Sequence, residues 1–102
     1  MTLMEFSIIP LDKGSSYSEY IAKILTIVDK SGLDYLLNPM GTVVEGEWDD
    51  LHALLDDCFN ILRKESDRIS LQVKFDYRKG VSGAITEKIR RVEEKAGRSL
   101  RT

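Results

Sequence analysis

Two polar residues interrupt runs that are otherwise apolar: Ser7 within EFSIIP, and Glu45 at the end of GTVVE. A central strand has few reasons to hold a hydroxyl or a carboxylate unless the group reaches solvent, a partner or a ligand. Polar groups set on strands in this way can match the donors and acceptors of a bound molecule. Bond-breaking chemistry has no comparable nominee. Nucleophilic catalysis needs Ser or Cys beside a base. The lone cysteine, Cys58, sits instead among Leu54, Leu55, Ile61 and Leu62, with no cation or histidine next to it. That pattern describes a buried, inert thiol. The lone histidine, His52, follows Leu51 and reads as a surface or boundary residue. No His/Cys cluster suits a metal ion, and no glycine-rich loop suits a phosphate. Asp49, Asp50, Asp56 and Asp57 share one helix, as dipole partners at its start and a wet face beyond. No catalytic residue and no metal ligand is assigned, and the enzyme reading is set aside.

Composition sets the frame for those residues. A chain of 102 residues suits one domain spanning 1–102, since two independent cores would be too small. With 42% hydrophobic and 31% charged residues it can fill one core and solvate the rest, so disorder is not the expectation. The formal net charge is −2. Lys88, Arg90 and Arg91 are interleaved with Glu87, Glu93 and Glu94, a mixed helix face rather than the basic footprint that nucleic acid requires. No apolar run is long enough to cross a membrane, and no basic segment followed by an apolar stretch opens the chain. The expectation is a cytoplasmic protein without nucleic-acid or membrane partners.

The elements that must carry the polar residues follow from periodicity. In residues 3–10, Met4, Phe6 and Ile8 point to one face and Glu5, Ser7 and Ile9 to the other, with Pro10 ending the ladder. Ser16 and Glu19 have the spacing of a capping box. Tyr17, Ile21, Ile24, Leu25 and Val28 then recur at helical period up to Ser31-Gly32. A short strand from Asp34 to Asn38 turns through Pro39-Met40-Gly41 into a second strand, Thr42 to Glu45. Trp48, Leu51, Leu55, Cys58 and Leu62 mark the next helix. Residues 69–77 alternate cleanly: Ile69, Leu71, Val73, Phe75 and Tyr77 on one face, Ser70, Gln72, Lys74 and Asp76 on the other. A last helix over about 84–96, with Ser82 as its N-cap, has only Ile85, Ile89 and Val92 as an apolar stripe.

The order β-α-β-β-α-β plus a C-terminal helix predicts an α+β ferredoxin-like sandwich. Two helices would cover one face of a four-stranded antiparallel sheet, with the first and third strands at its centre. Ser7 and Gln72, with Glu45 a further candidate, then fall on the uncovered face. That face is either simply wet or a binding surface.

The segments EFSIIP (Glu5 to Pro10), YLLNPMGTVVEGEW (Tyr35 to Trp48) and KIRRVEEK (Lys88 to Lys95) resemble the thiamine-binding protein family, a group of small ferredoxin-like proteins. The likeness runs almost end to end, and its most specific part is PMGT-x-x-EG, Pro39 to Gly46. The resemblance implies binding of thiamine or its hydroxymethylpyrimidine moiety, without reaction and with no other cofactor. It also implies homodimers or homotetramers built by joining sheets, with pockets near subunit contacts. The ligand residues it points to are Ser7, Asn38, Met40, Thr42 and Glu45. A carboxylate accepts from both a protonated ring nitrogen and an exocyclic NH₂, and such charge-assisted pairs are roughly twice as strong as neutral ones. On that reading Glu45 pairs with the aminopyrimidine, Ser7, Asn38 and Thr42 add neutral hydrogen bonds, and Met40 and Tyr35 pack on the ring. Thr42 and Glu45 are three apart and face opposite ways on a regular strand, so both reach one ligand only through a bulge, a turn or a second subunit. The competing expectation is a structural or regulatory oligomer that binds a protein partner through its open face.

Overall fold

The computed structural model describes all 102 residues. Its elements are β1 (Thr2–Pro10), α1 (Ser18–Lys30), β2 (Asp34–Asn38), β3 (Gly41–Gly46), α2 (Trp48–Arg63), β4 (Ile69–Tyr77) and α3 (Ala84–Ala96). The four strands form one antiparallel sheet in the order β2-β3-β1-β4, the ferredoxin-like arrangement with the first and third strands at the centre. No helix is long and apolar enough to cross a membrane.

Alternation along β1 builds the core. Met4, Phe6 and Ile8 are all buried, and they pack with Val44 of β3, Ile24 and Val28 of α1, and Leu51 and Leu54 of α2. Each such burial contributes about 1.5–3 kcal/mol. The helices lie over the central strands and leave the rim of β4 less covered, so Leu71 and Val73 stay partly exposed on the same face.

Several local expectations shift. The α2 stripe runs through Leu51, Leu54, Cys58 and Leu62, while Leu55 is half-buried and Trp48 exposed. Trp48 packs instead over the rim, its ring 4.7 Å from Phe75 and 4.4 Å from His52. The Ser16/Glu19 capping box does not form. α1 begins at Ser18 with Tyr17 as N-cap, and no side chain bonds to that helix end. Nor does Ser82 cap α3: its N-cap is Gly83, in the left-handed region at φ 70°.

The β2–β3 hairpin has a two-residue loop, Pro39-Met40, closed by the Asn38↔Gly41 pair. Proline holds φ negative and Met40 is not in the left-handed region, so this is not one of the primed turns usual in hairpins. Gly41 is not left-handed either, so the turn does not require it for positive φ. Its constraint is a close approach, because a Cβ there would lie 3.2 Å from the Phe6 carbonyl oxygen.

α3 crosses to the face that α1 and α2 leave open, packing on β3 and β2. Its first turn is buried at Ala84 and Ile85, whereas Ile89 and Val92 are exposed. Arg90–Glu87 and Arg90–Glu94 ion pairs lie along the helix, and Lys88–Asp76 ties it to β4.

Candidate functional site

β1 and β3 stop matching before β1 ends. Their register runs from Thr2↔Gly46 to Phe6↔Thr42, while β1 goes on to Pro10 with only β4 beside it. The tight hairpin turns β3 away at Gly41, so a notch opens in the sheet next to the last four residues of β1. α1 roofs this notch on the core side.

The result is a cavity of about 190 Å³ between α1, the end of β1 and the hairpin. Ile21 and Leu25 of α1, Ile8 of β1 and Leu37 of β2 make it apolar, and two aromatic residues line it, Phe6 of β1 and Tyr17 at the α1 end. Thr42 and Asn38 bring polar residues to its rim, Ser7 borders it from β1, and Met40 lies beside them at the turn, 90% exposed. No carboxylate lines it.

Four of the five residues expected at a ligand site, Ser7, Asn38, Met40 and Thr42, therefore meet at one cavity. Thr42 is buried on the helix-covered face, yet its hydroxyl makes no hydrogen bond within the chain and retains solvent contact. Alternation turns the Ser7 side chain to the other face, where it shares a shallower recess with Glu5, Gln72 and Met40. The two recesses have Phe6, Ser7 and Met40 in common, because no β3 residue closes the sheet beyond Phe6.

Glu45 stands apart from this group. It is buried on the opposite face, beneath α3, with 5% of its surface exposed. Its Oε2 accepts from the Ala84 N–H at 3.0 Å and its Oε1 from the Ile85 N–H at 3.4 Å. Those are two of the orphan donors at the N-terminus of α3, and a carboxylate there also complements the helix dipole. The three-residue spacing from Thr42 does place the two side chains on opposite faces. Tyr35 is engaged elsewhere too, its hydroxyl donating to Asp29 Oδ1 at 2.7 Å, an interaction that raises its pKa. Tyr17 is an aromatic neighbour of the cavity instead, beside Phe6. The sequence offered a signal for it in its place just before α1, at the end of a polar loop.

That loop is braced. Asp12 Oδ1 accepts from the Ser66 hydroxyl at 2.5 Å and Oδ2 from the Asp67 N–H at 2.7 Å. The Ser66 hydroxyl, then the Asp67 amide, hold the Asp12 carboxyl below its ordinary value. His52 stacks on Phe75 at 5.1 Å, with Nδ1 2.8 Å from the Trp48 carbonyl oxygen. Cys58 is fully buried, and desolvation pushes its thiol up to about 12, the opposite of activation.

Comparison with known proteins yields concordant matches. The family model for thiamine-binding proteins matches residues 4–93. A Methanocaldococcus jannaschii protein is 34% identical over 90 residues, covering 88% of this chain and 90% of its own. A Mycobacterium bovis protein is 33% identical over 92 residues, covering 89% and 90%. The crystal structure of the M. jannaschii protein superposes with a TM-score of 0.84, covering 91% of this chain and 96% of that one. A Thermotoga maritima protein, provisionally assigned to thiamine biosynthesis or salvage, superposes with a TM-score of 0.77 at 22% identity, covering 89% and 97%. At that identity the likeness carries the fold alone.

Proposed function

The chain belongs to the thiamine-binding protein family, and from that premise we propose that it binds thiamine by its hydroxymethylpyrimidine ring, without turnover, in the cavity between α1 and the β2–β3 hairpin. The observation that carries this reading is convergence. Ser7 from β1 and Asn38, Met40 and Thr42 from the hairpin border one recess of about 190 Å³. Drug-sized ligands take roughly 300–1,000 Å³, so a single ring fits and the rest of the vitamin projects outward. Ile21, Leu25 and Leu37 desolvate the ring, Met40 and Tyr17 flank it, and the Thr42 and Asn38 side chains offer neutral hydrogen bonds. With no carboxylate in the lining, the ring binds uncharged, and Glu45 serves α3 rather than the ligand. The role is that of a cytoplasmic carrier, buffer or sensor, because no base or activated nucleophile faces the cavity.

The same reading includes a homodimer or homotetramer. β4 is a nine-residue edge strand with one side unpaired, and long open edges invite a second strand. The uncovered part of the sheet is less suited to an apolar protein partner, since it shows Glu5, Ser7, Gln72 and Lys74, with Glu5 and Lys74 paired at 3.5 Å.

Calorimetric titration with thiamine and, separately, with hydroxymethylpyrimidine tests the proposal. Saturable binding of both, near one ligand per subunit, supports it. No heat with either, together with an unshifted melting temperature, would refute it and favour the protein-binding oligomer. Light scattering at micromolar concentration checks assembly, and a monomer would count against the joined-sheet reading.

A further inference from the structure

We infer that the main chain of Ile8, rather than a side chain, reads the ligand's identity: its N–H donates to the pyrimidine ring nitrogen and its C=O accepts from the neighbouring amino group. The inference rests on the binding proposed above and specifies how that site selects its ligand.

Parity of the ladder carries it. The Leu11 N–H donates to the Arg68 carbonyl at 2.7 Å, in line with the β1–β4 register that pairs Pro10 with Ile69. In an antiparallel ladder the bonded pairs alternate, so the odd residues of β1 turn their N–H and C=O toward β4. The even residues turn theirs toward β3, where Thr2, Met4 and Phe6 meet Gly46, Val44 and Thr42. Ile8 comes next in that series and has no β3 partner. No hydrogen bond from a turn, loop or side chain reaches it either.

Ile8 is nevertheless buried, with 3% of its surface exposed, and it lines the cavity. Buried main-chain N–H and C=O groups are almost always paired, and each one left unpaired is costly. Here a donor and an acceptor of one extended residue point the same way, into a ring-sized apolar recess. Their complement is a planar edge carrying an acceptor next to a donor. An aminopyrimidine presents that edge in its ring nitrogen and its exocyclic NH₂. The ligand would thus occupy the place of a missing β3 residue, pairing with the strand edge as another strand would. Side chains could be exchanged without altering this selectivity.

Oxo analogues of thiamine and of hydroxymethylpyrimidine, in which oxygen replaces the amino group, invert the edge by placing an acceptor against the C=O and an N–H against the N–H. Calorimetry on the wild-type protein with both ligands and both oxo analogues, combined with amide hydrogen exchange of Ile8, tests the idea without a variant. The expected result is binding of the amino forms, a loss of about tenfold or more for the oxo forms, and slowed exchange at Ile8 on saturation. If the amino forms bind and the oxo forms bind equally well, or the Ile8 amide is unaffected, main-chain readout is overturned while the proposed function stands. If neither amino form binds, both fall.

Discussion

Replacing Glu45 by Gln should separate stability from binding. The carboxylate is buried, with 5% of its surface exposed, and holds two amides at the start of α3, Ala84 N–H at 3.0 Å and Ile85 N–H at 3.4 Å. Glutamine keeps the shape and one acceptor, but turns an NH₂ toward the other amide and removes the charge facing the helix dipole. Hydrogen bonds to charged groups contribute roughly 1.5–3 kcal/mol. The Ile85 bond is long, so most of the loss resides in the Ala84 contact, and about 2 kcal/mol is the expected change. For a chain of this size each kcal/mol moves the melting temperature by about 4–8 °C, which gives a drop of roughly 8–16 °C. In urea the midpoint falls by roughly 1 M. Amides of α3 should exchange faster than those of α2. The thiamine Kd, measured below the transition, should stay within about twofold, because Glu45 does not border the cavity. A melting temperature within about 2 °C of wild type would show that the carboxylate does not anchor α3. Unchanged stability with a large loss of affinity would put Glu45 back at the ligand.

Other substitutions address the cavity, the loop and the thiol. Thr42→Val keeps the shape and deletes the hydroxyl, so calorimetry should show affinity weakened by about 0.5–1.5 kcal/mol with little change in melting temperature; full affinity would remove Thr42 from the site. Asp12 has a folded pKa below its unfolded value, lowered first by the Ser66 hydroxyl and then by the Asp67 amide. Its contribution to stability is therefore present above the unfolded aspartate pKa, about 3.9, and is lost as the pH falls through the folded value. Urea midpoints between pH 6 and acid should consequently fall more steeply for wild type than for Asp12→Asn, and parallel curves would dissociate the brace from acid sensitivity. Cys58, held at about 12 by burial, should resist a thiol reagent at pH 8 until the protein unfolds. A native rate equal to the unfolded one would contradict its placement in the core.

Much of the fold was legible because it rests on local periodicity. The two-residue alternation of Met4, Phe6 and Ile8 and the turn at Pro39-Met40 are consequences of chain geometry over a few residues. The bounds of β2 and α3 follow in the same way. What depended on distant partners was not legible. Glu45 stands out because it interrupts an apolar strand, and the amides that its carboxylate holds lie 39 and 40 positions away. The Ser16/Glu19 spacing satisfies a capping box, yet spacing alone does not decide where a helix starts when neighbouring residues are all tolerated there. On α2 the choice between Leu54 and Leu55 turns on a small rotation that only packing against β1 fixes. Within the candidate site, strand pattern singled out Ser7, and the family resemblance pointed to Asn38, Met40 and Thr42. The α1 wall and the main chain of Ile8 required the strand register, which the sequence does not print.

The register explains why a cavity exists in so small a core. β1 has nine residues and β3 six, and pairing from Thr2↔Gly46 uses up β3 at the hairpin before β1 is finished. A longer hairpin would pair Ile8 and close the notch. The two-residue loop with Pro39 instead turns the chain back early, and Gly41 lets the turn lie against the Phe6 carbonyl, where a Cβ would come within 3.2 Å. Pro10 fits the same geometry. By parity its nitrogen faces the unpaired side, so its missing N–H removes no ladder bond. The most specific part of the sequence, Pro39 to Gly46, thus has two structural tasks. Its first half starts β3 at the point that leaves a recess open on one face. Its last pair carries the carboxylate that fastens α3 to the other face.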